Sequence, residues 1–220
     1  TQLYQMNAEG RLICQDCPAG YSEGNSSDAA PVQQEAMPQY QDYNNITLNG
    51  PMKVTIEKGD TYDLRLTGEE QYLSKVVTTL EEGMLLVNLE ATDLESPVRL
   101  YLTLPDLQAL ILNHTDDVRV KDFSGEQLAI TASGDFELKT TVDVQELMFT
   151  GNEGVAIEFT GNAQHLNANL NGGSRLDTDR GEVKTANITA AEGSRVKLGQ
   201  GVEVNEQVIS DDSSLRVVNK

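Results

Sequence analysis

From Pro105 to the C-terminus, apolar side chains recur in pairs spaced by two residues, and the pairs themselves recur at a steady interval. One series runs Leu110/Leu112, Leu128/Ile130, Leu147/Phe149, Leu166/Ala168 and Ala186/Ile188. A second follows it as Val118/Val120, Phe136/Leu138, Val155/Ile157, Leu176/Thr178, Val196/Leu198 and Leu215/Val217. A spacing of two is the period of a strand with one buried face. Turn formers separate the pairs, among them Ser133-Gly134-Asp135, Asn152-Glu153-Gly154, Gly172-Gly173-Ser174 and Glu192-Gly193-Ser194, with Thr115-Asp116-Asp117 and Asp211-Asp212-Ser213 at the two ends. The repeat length is 18 to 20 residues. That is too short for a helix-containing unit or a propeller blade, and it fits one coil of a β-helix. The expected fold is therefore all-β: a single-stranded, right-handed β-solenoid whose inward aliphatic side chains stack in files.

Residues 43–104 alternate in longer strands. Met52, Val54 and Ile56 point one way, Gly59-Asp60 turns the chain, and Tyr62, Leu64 and Leu66 repeat the pattern. Further strands are predicted from Lys75 to a turn at Glu81-Glu82-Gly83, over Met84–Leu89, and from Val98 to Leu104, closed by Pro105. Glu69 to Val76 has room for one helical turn. These strands are expected to pair antiparallel and to cap the solenoid, whose open end would otherwise present an unpaired edge. Residues 1–42 differ. A hairpin is predicted from Leu3–Met6 and Arg11–Cys14, and Gly20–Tyr43, rich in Ser, Asn, Gln, Pro and Glu, reads as a tether. The domain division is thus an extension over 1–42 and a solenoid over 43–220.

Charge changes the picture of partners. The chain carries 16 Lys and Arg against 35 Asp and Glu, a formal charge of −19. No basic cluster is visible along the sequence, which argues against nucleic acid and against acidic lipid headgroups. No apolar run reaches the length of a membrane-spanning helix. The first residue is Thr1 and not Met, so a signal peptide or lipoprotein leader is expected to have been removed. Cys14 and Cys17 form a lone C-x-x-C with no second ligand pair for zinc and with Pro18 where haem attachment needs His. A local disulfide or a free pair in an oxidising compartment is the expected state.

No catalytic, cofactor or metal site is predicted. The nearest approach to paired carboxylates is Asp177, Asp179 and Arg180, with Asp211 and Asp212 second. All five read as turn and edge residues. His114 and His165 fall near corners of different coils, and no nucleophile elbow occurs. N-x-S/T sequons begin at Asn25, Asn45, Asn113 and Asn187, a frequency unsurprising in a chain rich in Asn and Thr. Between the apolar pairs, outward positions read Lys121, Lys139, Glu158, Asp177, Lys197 and Arg216 in one column and Arg119, Glu137, Ala156, Arg175 and Arg195 in the next. These columns are expected to be a solvated face.

The stretch Tyr43-Asn-Asn-Ile-Thr-Leu-Asn-Gly-Pro-Met-Lys-Val-Thr-Ile-Glu-Lys-Gly-Asp, followed by Tyr62-Asp-Leu-Arg-Leu-Thr-Gly, resembles the start of the head GIN domain family, described as auto-transporter adhesins. Leu102-Thr-Leu-Pro-Asp-Leu-Gln-Ala-Leu-Ile-Leu resembles that family's strand, proline and first repeat. Thr115-Asp116-Asp117 departs from it, standing where the family has a Gly-rich turn. The resemblance implies an exported protein of a Gram-negative bacterium, periplasmic, outer-membrane-anchored or at the cell surface, with a β-helical fold and no established activity; with no convergent reactive groups in the repeats, no enzymatic activity is expected. Its expected role is to bind another macromolecule, a glycan or an envelope or surface protein, through a solenoid face. Self-association as a structural scaffold is the alternative, and a carbohydrate-active enzyme the third.

Overall fold

The computed structural model describes residues 4–6, 12–14, 32–34, 40–91 and 94–218. In chain order the elements are β1 (Tyr4–Met6), β2 (Leu12–Cys14), β3 (Val32–Gln34), β4 (Asn45–Asn49), β5 (Met52–Lys58), β6 (Asp63–Gly68), the single helical turn α1 (Glu70–Leu73), β7 (Val76–Glu81), β8 (Met84–Leu89), β9 (Val98–Leu104) and β10 (Ala109–Asn113). There follow four long bent strands, β11 (Val118–Ser133), β12 (Glu137–Asn152), β13 (Ala156–Leu170) and β14 (Arg175–Ala190), and then β15 (Arg195–Leu198), β16 (Glu203–Ile209) and β17 (Ser214–Val217). β1 and β2 pair antiparallel, as the predicted hairpin requires. Cys17, the remainder of the predicted tether and the sequon at Asn25 lie outside the described residues.

The chain is a β-solenoid. β11 lies parallel to β12, β12 to β13 and β13 to β14 along nearly their whole length. Parallel pairing along a coil satisfies each backbone amide and carbonyl from the coil above or below, so no helix is needed to cover them. Leu128 faces Leu147 and Leu147 faces Leu166, and all three are buried in one interior file. Beside it run Leu85, Ile46, Leu110, Ile130, Phe149, Ala168 and Ile188 in register. From the opposite wall come Leu100, Val54, Val118, Leu138, Ile157, Leu176 and Val196.

Two details of register differ from the sequence expectation. Leu110 is level with Ile130 and not with Leu128. Val118 likewise faces Leu138, twenty residues on, whereas Phe123 faces Val142, nineteen on. The extra residue is Asp122, a left-handed bulge at φ 64°. A bulge inserts one unpaired residue and bends the strand, so the repeat length varies around the coil and a constant spacing misaligns the first repeat.

The cap is also narrower than predicted. β8 and β9 pair parallel to β4 and β5, making two further coils of the solenoid. Only β6 against β9 and β7 against β8 are antiparallel, with α1 between β6 and β7. β3 adds antiparallel to the outer edge of β6. Spatial order therefore departs from chain order: the chain starts in the layer of β4 and β5, runs outward to form the cap, returns as β8 and β9 beneath it, and continues on the far side as β10.

Inside, large and small residues complement each other. Phe149 and Phe159 meet edge to face at 6.4 Å from opposite walls. Space for them comes from Gly181, where an added Cβ would lie 2.6 Å from the Phe159 ring, and from Ala168 in the next coil. At the other end the last described coil is only half covered: Val204, Ile209, Leu215 and Val217 are partly exposed. There a polar residue, Gln207, occupies the register position under Ile188.

Candidate binding faces

Around each long coil run two long strand-built faces and a short third one (Phe123–Gly125, Val142–Val144, Gly161–Ala163 and Gly181–Val183), and the outward residues of the two long faces differ in chemistry. The first is formed by β8, β4, β10 and the C-terminal parts of β11 to β14. Its first column reads Met84, Asn45, Ala109, Ala129, Met148, Asn167 and Asn187. Its second reads Leu86, Thr47, Ile111, Thr131, Thr150, Asn169 and Thr189. Its third reads Asn88, Asn49, Asn113, Ser133 and Asn152. None of these is charged, on a chain of −19. Charges return at the ends, as Glu81 beside Met84 and Glu206 beside Asn187, and at the margin, as Glu146 two residues before Met148. Seven strands at about 4.8 Å spacing make a flat strip roughly 29 Å long.

The amides of this face tie its layers together. Asn113 Nδ2 donates to Asn49 Oδ1 at 2.7 Å, Asn49 Nδ2 donates to Asn88 Oδ1, and Asn187 Nδ2 donates to Asn167 Oδ1 at 2.8 Å. Among the described residues, four of the five exposed large apolar side chains, Val77, Met84, Ile111 and Val208, also belong to this side. Three of the predicted sequons, at Asn45, Asn113 and Asn187, fall on it as well.

The second face, formed by β6, β9, β5, the N-terminal parts of β11 to β14, β15 and β17, is charged. Its outward positions hold ten of the chain's sixteen basic residues: Lys53, Arg65, Arg99, Arg119, Lys121, Lys139, Arg175, Arg195, Lys197 and Arg216. Only six of the thirty-five acids, Glu57, Asp63, Glu137, Glu158, Asp177 and Asp179, share it. The expectation that Lys and Arg do not cluster is thereby corrected. They are scattered in sequence because each coil contributes one or two, and parallel stacking gathers them. The column itself is headed by Arg119, which faces Lys139, while Lys121 faces Thr141.

The sequence candidates for chemistry fall as follows. Asp177 and Asp179 both engage Lys197, whose ammonium lies 3.1 Å from Asp177 Oδ2 and also contacts Asp179 Oδ2. Hydrogen bonding to Lys197 holds the Asp179 carboxyl below the usual range, and the two carboxylates together raise Lys197. With Arg180 and Glu158 these groups line a depression of about 110 Å³. Asp211 and Asp212 sit at a left-handed corner, φ 53° and 58°. His114 occupies another corner, 3.9 Å from Glu153, and His165 contacts Thr185 Oγ1 at 2.7 Å in a different coil. Among the described residues no group of His, Cys, Asp and Glu has the arrangement of a metal site, and no helix is long and apolar enough to cross a membrane.

The division into faces was missed in the sequence, although its signal was present. Residues between the first apolar pairs, Ile111, Ala129, Met148, Asn167 and Asn187, are uncharged, and those between the second pairs are mostly charged.

Several solved structures share the fold. A protein called a putative adhesin, from Bacteroides fragilis, superposes with a TM-score of 0.71 at 12% identity, covering 88% of this chain and 99% of its own. A putative lipid binding protein from Parabacteroides distasonis gives 0.60 at 15% identity, covering 86% and 97%. A putative adhesin from Parabacteroides merdae gives 0.56 at 13% identity, covering 86% and 96%. No curated protein matches. The family described as putative auto-transporter adhesin, head GIN domain, matches residues 42–219, and the chain belongs to it.

Proposed function

We propose that this chain is a non-enzymatic adhesin module, exported and held at the surface of a Gram-negative cell, that binds a glycan or an envelope protein on its uncharged face. The observation that carries the reading is the absence of any ionised side chain from nineteen outward positions of that face, on a protein with more than twice as many acids as bases. Covering a charge without pairing it is costly, so the buried centre of an interface is depleted of charge. Asn and Thr supply adaptable hydrogen bonds, and Met84, Leu86 and Ile111 supply apolar contact. The adhesin family supports the role. The residues before β3 serve as the tether between the module and its anchor, since β3 itself joins the sheet beside β6.

The test uses glycan and envelope-protein arrays probed with the chain and with a Thr131→Arg/Thr150→Glu variant. These two positions face each other across β11 and β12, so the new charges pair and the fold is kept. Binding should fall at least about tenfold in the variant, since desolvating two charges costs more than 1.4 kcal/mol. An absence of ligand on both arrays, or hits that the variant retains, would count against the proposal. Self-association has one observation in its favour, the half-covered last coil with Val208 60% exposed. Light scattering showing a monomer at high concentration removes it.

A further inference from the structure

We infer that the charged face is a second binding surface whose occupant is a single strand of an anionic polysaccharide. Like charges stand in register there: Arg175 faces Arg195, Arg119 faces Lys139, and Lys197 faces Arg216. Such neighbours repel and are mildly destabilising in a sheet. A chain with thirty-five acids could have placed carboxylates between them, and among the described residues it does so only beside Lys53, Arg65, Lys139 and Lys197. Among the described residues, Arg99, Arg119, Arg175, Arg195 and Arg216 lie outside every ion pair of 4.0 Å or less. From Arg99 in β9 to Arg216 in β17 the stripe crosses eight strands, roughly 34 Å.

The overall charge of −19 does not cancel this stripe. At physiological salt the screening length is about 8 Å, so a ligand seated on the face responds to the guanidinium groups beneath it more than to acids on the far side. Arginine predominates over lysine among the unpaired bases, and its planar fork suits carboxylate and sulfate oxygens. The shape of the occupant follows from the margins. Asp116, Asp117 and Asp211 line one edge of the face and Asp122 and Asp143 the other. A broad anionic plane such as a membrane would meet both acidic edges, and so would a nucleic acid duplex. A single polymer strand fits between them. Single-stranded nucleic acid would require aromatic platforms for its bases, and the face exposes one large aromatic residue, Tyr101. This surface is separate from the uncharged one, and the inference stands whether or not that face binds a partner.

The experiment is isothermal titration of the whole chain with polygalacturonate at low and at physiological salt. Neutral dextran, phosphatidylglycerol vesicles and oligodeoxythymidine are the comparison ligands. Polygalacturonate should bind, weaken as salt rises, and lose about tenfold or more in affinity in an Arg119→Ser/Arg175→Ser/Arg195→Ser variant, because hydrogen bonds to charged groups are each worth about 1.5–3 kcal/mol. Lys184→Ser, outside the stripe, should change the affinity less than about twofold at physiological salt, where charges beyond the screening length contribute little. All three arginines are solvent-facing, and an unchanged urea midpoint verifies that the variant folds. Failure of polygalacturonate to bind at low salt, equal binding of dextran, or binding unchanged by the triple substitution overturns the inference. Tighter binding of vesicles or of oligodeoxythymidine overturns it in favour of those partners.

Discussion

Gly161 and Gly125 both lie in the long strands of the solenoid, yet the same substitution should act oppositely on them. Gly161 faces Val142 in the preceding coil and has φ 112°. A Cβ there would stand 2.1 Å from the Val142 carbonyl oxygen and 2.9 Å from its carbon. Both atoms are backbone, so no rotamer change relieves the clash. Gly161→Ala must shift β13 away from β12 by about 1 Å or abandon the left-handed corner. A positive φ in a residue with a Cβ costs roughly 1–2 kcal/mol, and losing one or two ladder hydrogen bonds adds about 1 kcal/mol each. The total is about 3 kcal/mol, a large share of the roughly 5–15 kcal/mol that keeps a domain folded. Gly125 sits in β11 with nothing within 4 Å of the added atom and with φ outside the left-handed region. Gly125→Ala should therefore stabilise by about 0.4–1 kcal/mol through loss of unfolded-state freedom. Urea unfolding followed by circular dichroism reads both. With a slope near 2 kcal/mol/M the midpoint should fall by about 1.5 M for Gly161→Ala and rise by a few tenths of a molar for Gly125→Ala. A Gly161→Ala midpoint within about 0.2 M of the parent would refute the close approach of the two coils, since that corresponds to less than 0.5 kcal/mol.

Two further outcomes follow from local contacts. Asn49 bridges Asn113 and Asn88 across three layers, so Asn49→Ala should lose about 1–3 kcal/mol by the same urea assay, and a loss below that would show the ladder to be solvated amides of no consequence. Hydrogen bonding to Lys197 lowers the Asp179 carboxyl; since its folded value lies below its unfolded one, its contribution to stability is present above the ordinary carboxylate range and disappears as pH falls through the folded value. A carbon NMR titration should place the Asp179 midpoint below that of an exposed Asp, and Lys197→Met should move it back up. An unmoved midpoint would mean that the contact does not persist in solution.

Much of the architecture was legible along the chain. Alternation at spacing two identified most strands from β5 to β15 and β17 but not β16, whose residues do not alternate; Glu69–Val76 was seen to hold one helical turn, and the 18–20-residue interval identified a solenoid. Those are local properties: a strand with one buried face must alternate, and a coil of fixed circumference must repeat. The interior file of Leu128, Leu147 and Leu166 follows from them.

Register, layer order and the faces were decided by tertiary structure. The bulge at Asp122 lengthened its coil by one residue and put the first repeat out of the expected register, because a bulge depends on how a corner bends against its neighbour and leaves no periodic mark. The insertion of β8 and β9 between the cap and β4–β5 is a long-range pairing choice, and strands that alternate alike give no sign of whether they will run parallel or antiparallel. Both outer surfaces depend on those registers. Lysines and arginines about twenty residues apart become neighbours only when one coil lies on the next, and the sequence by itself determined which side chains point outward but not which of them would stand together.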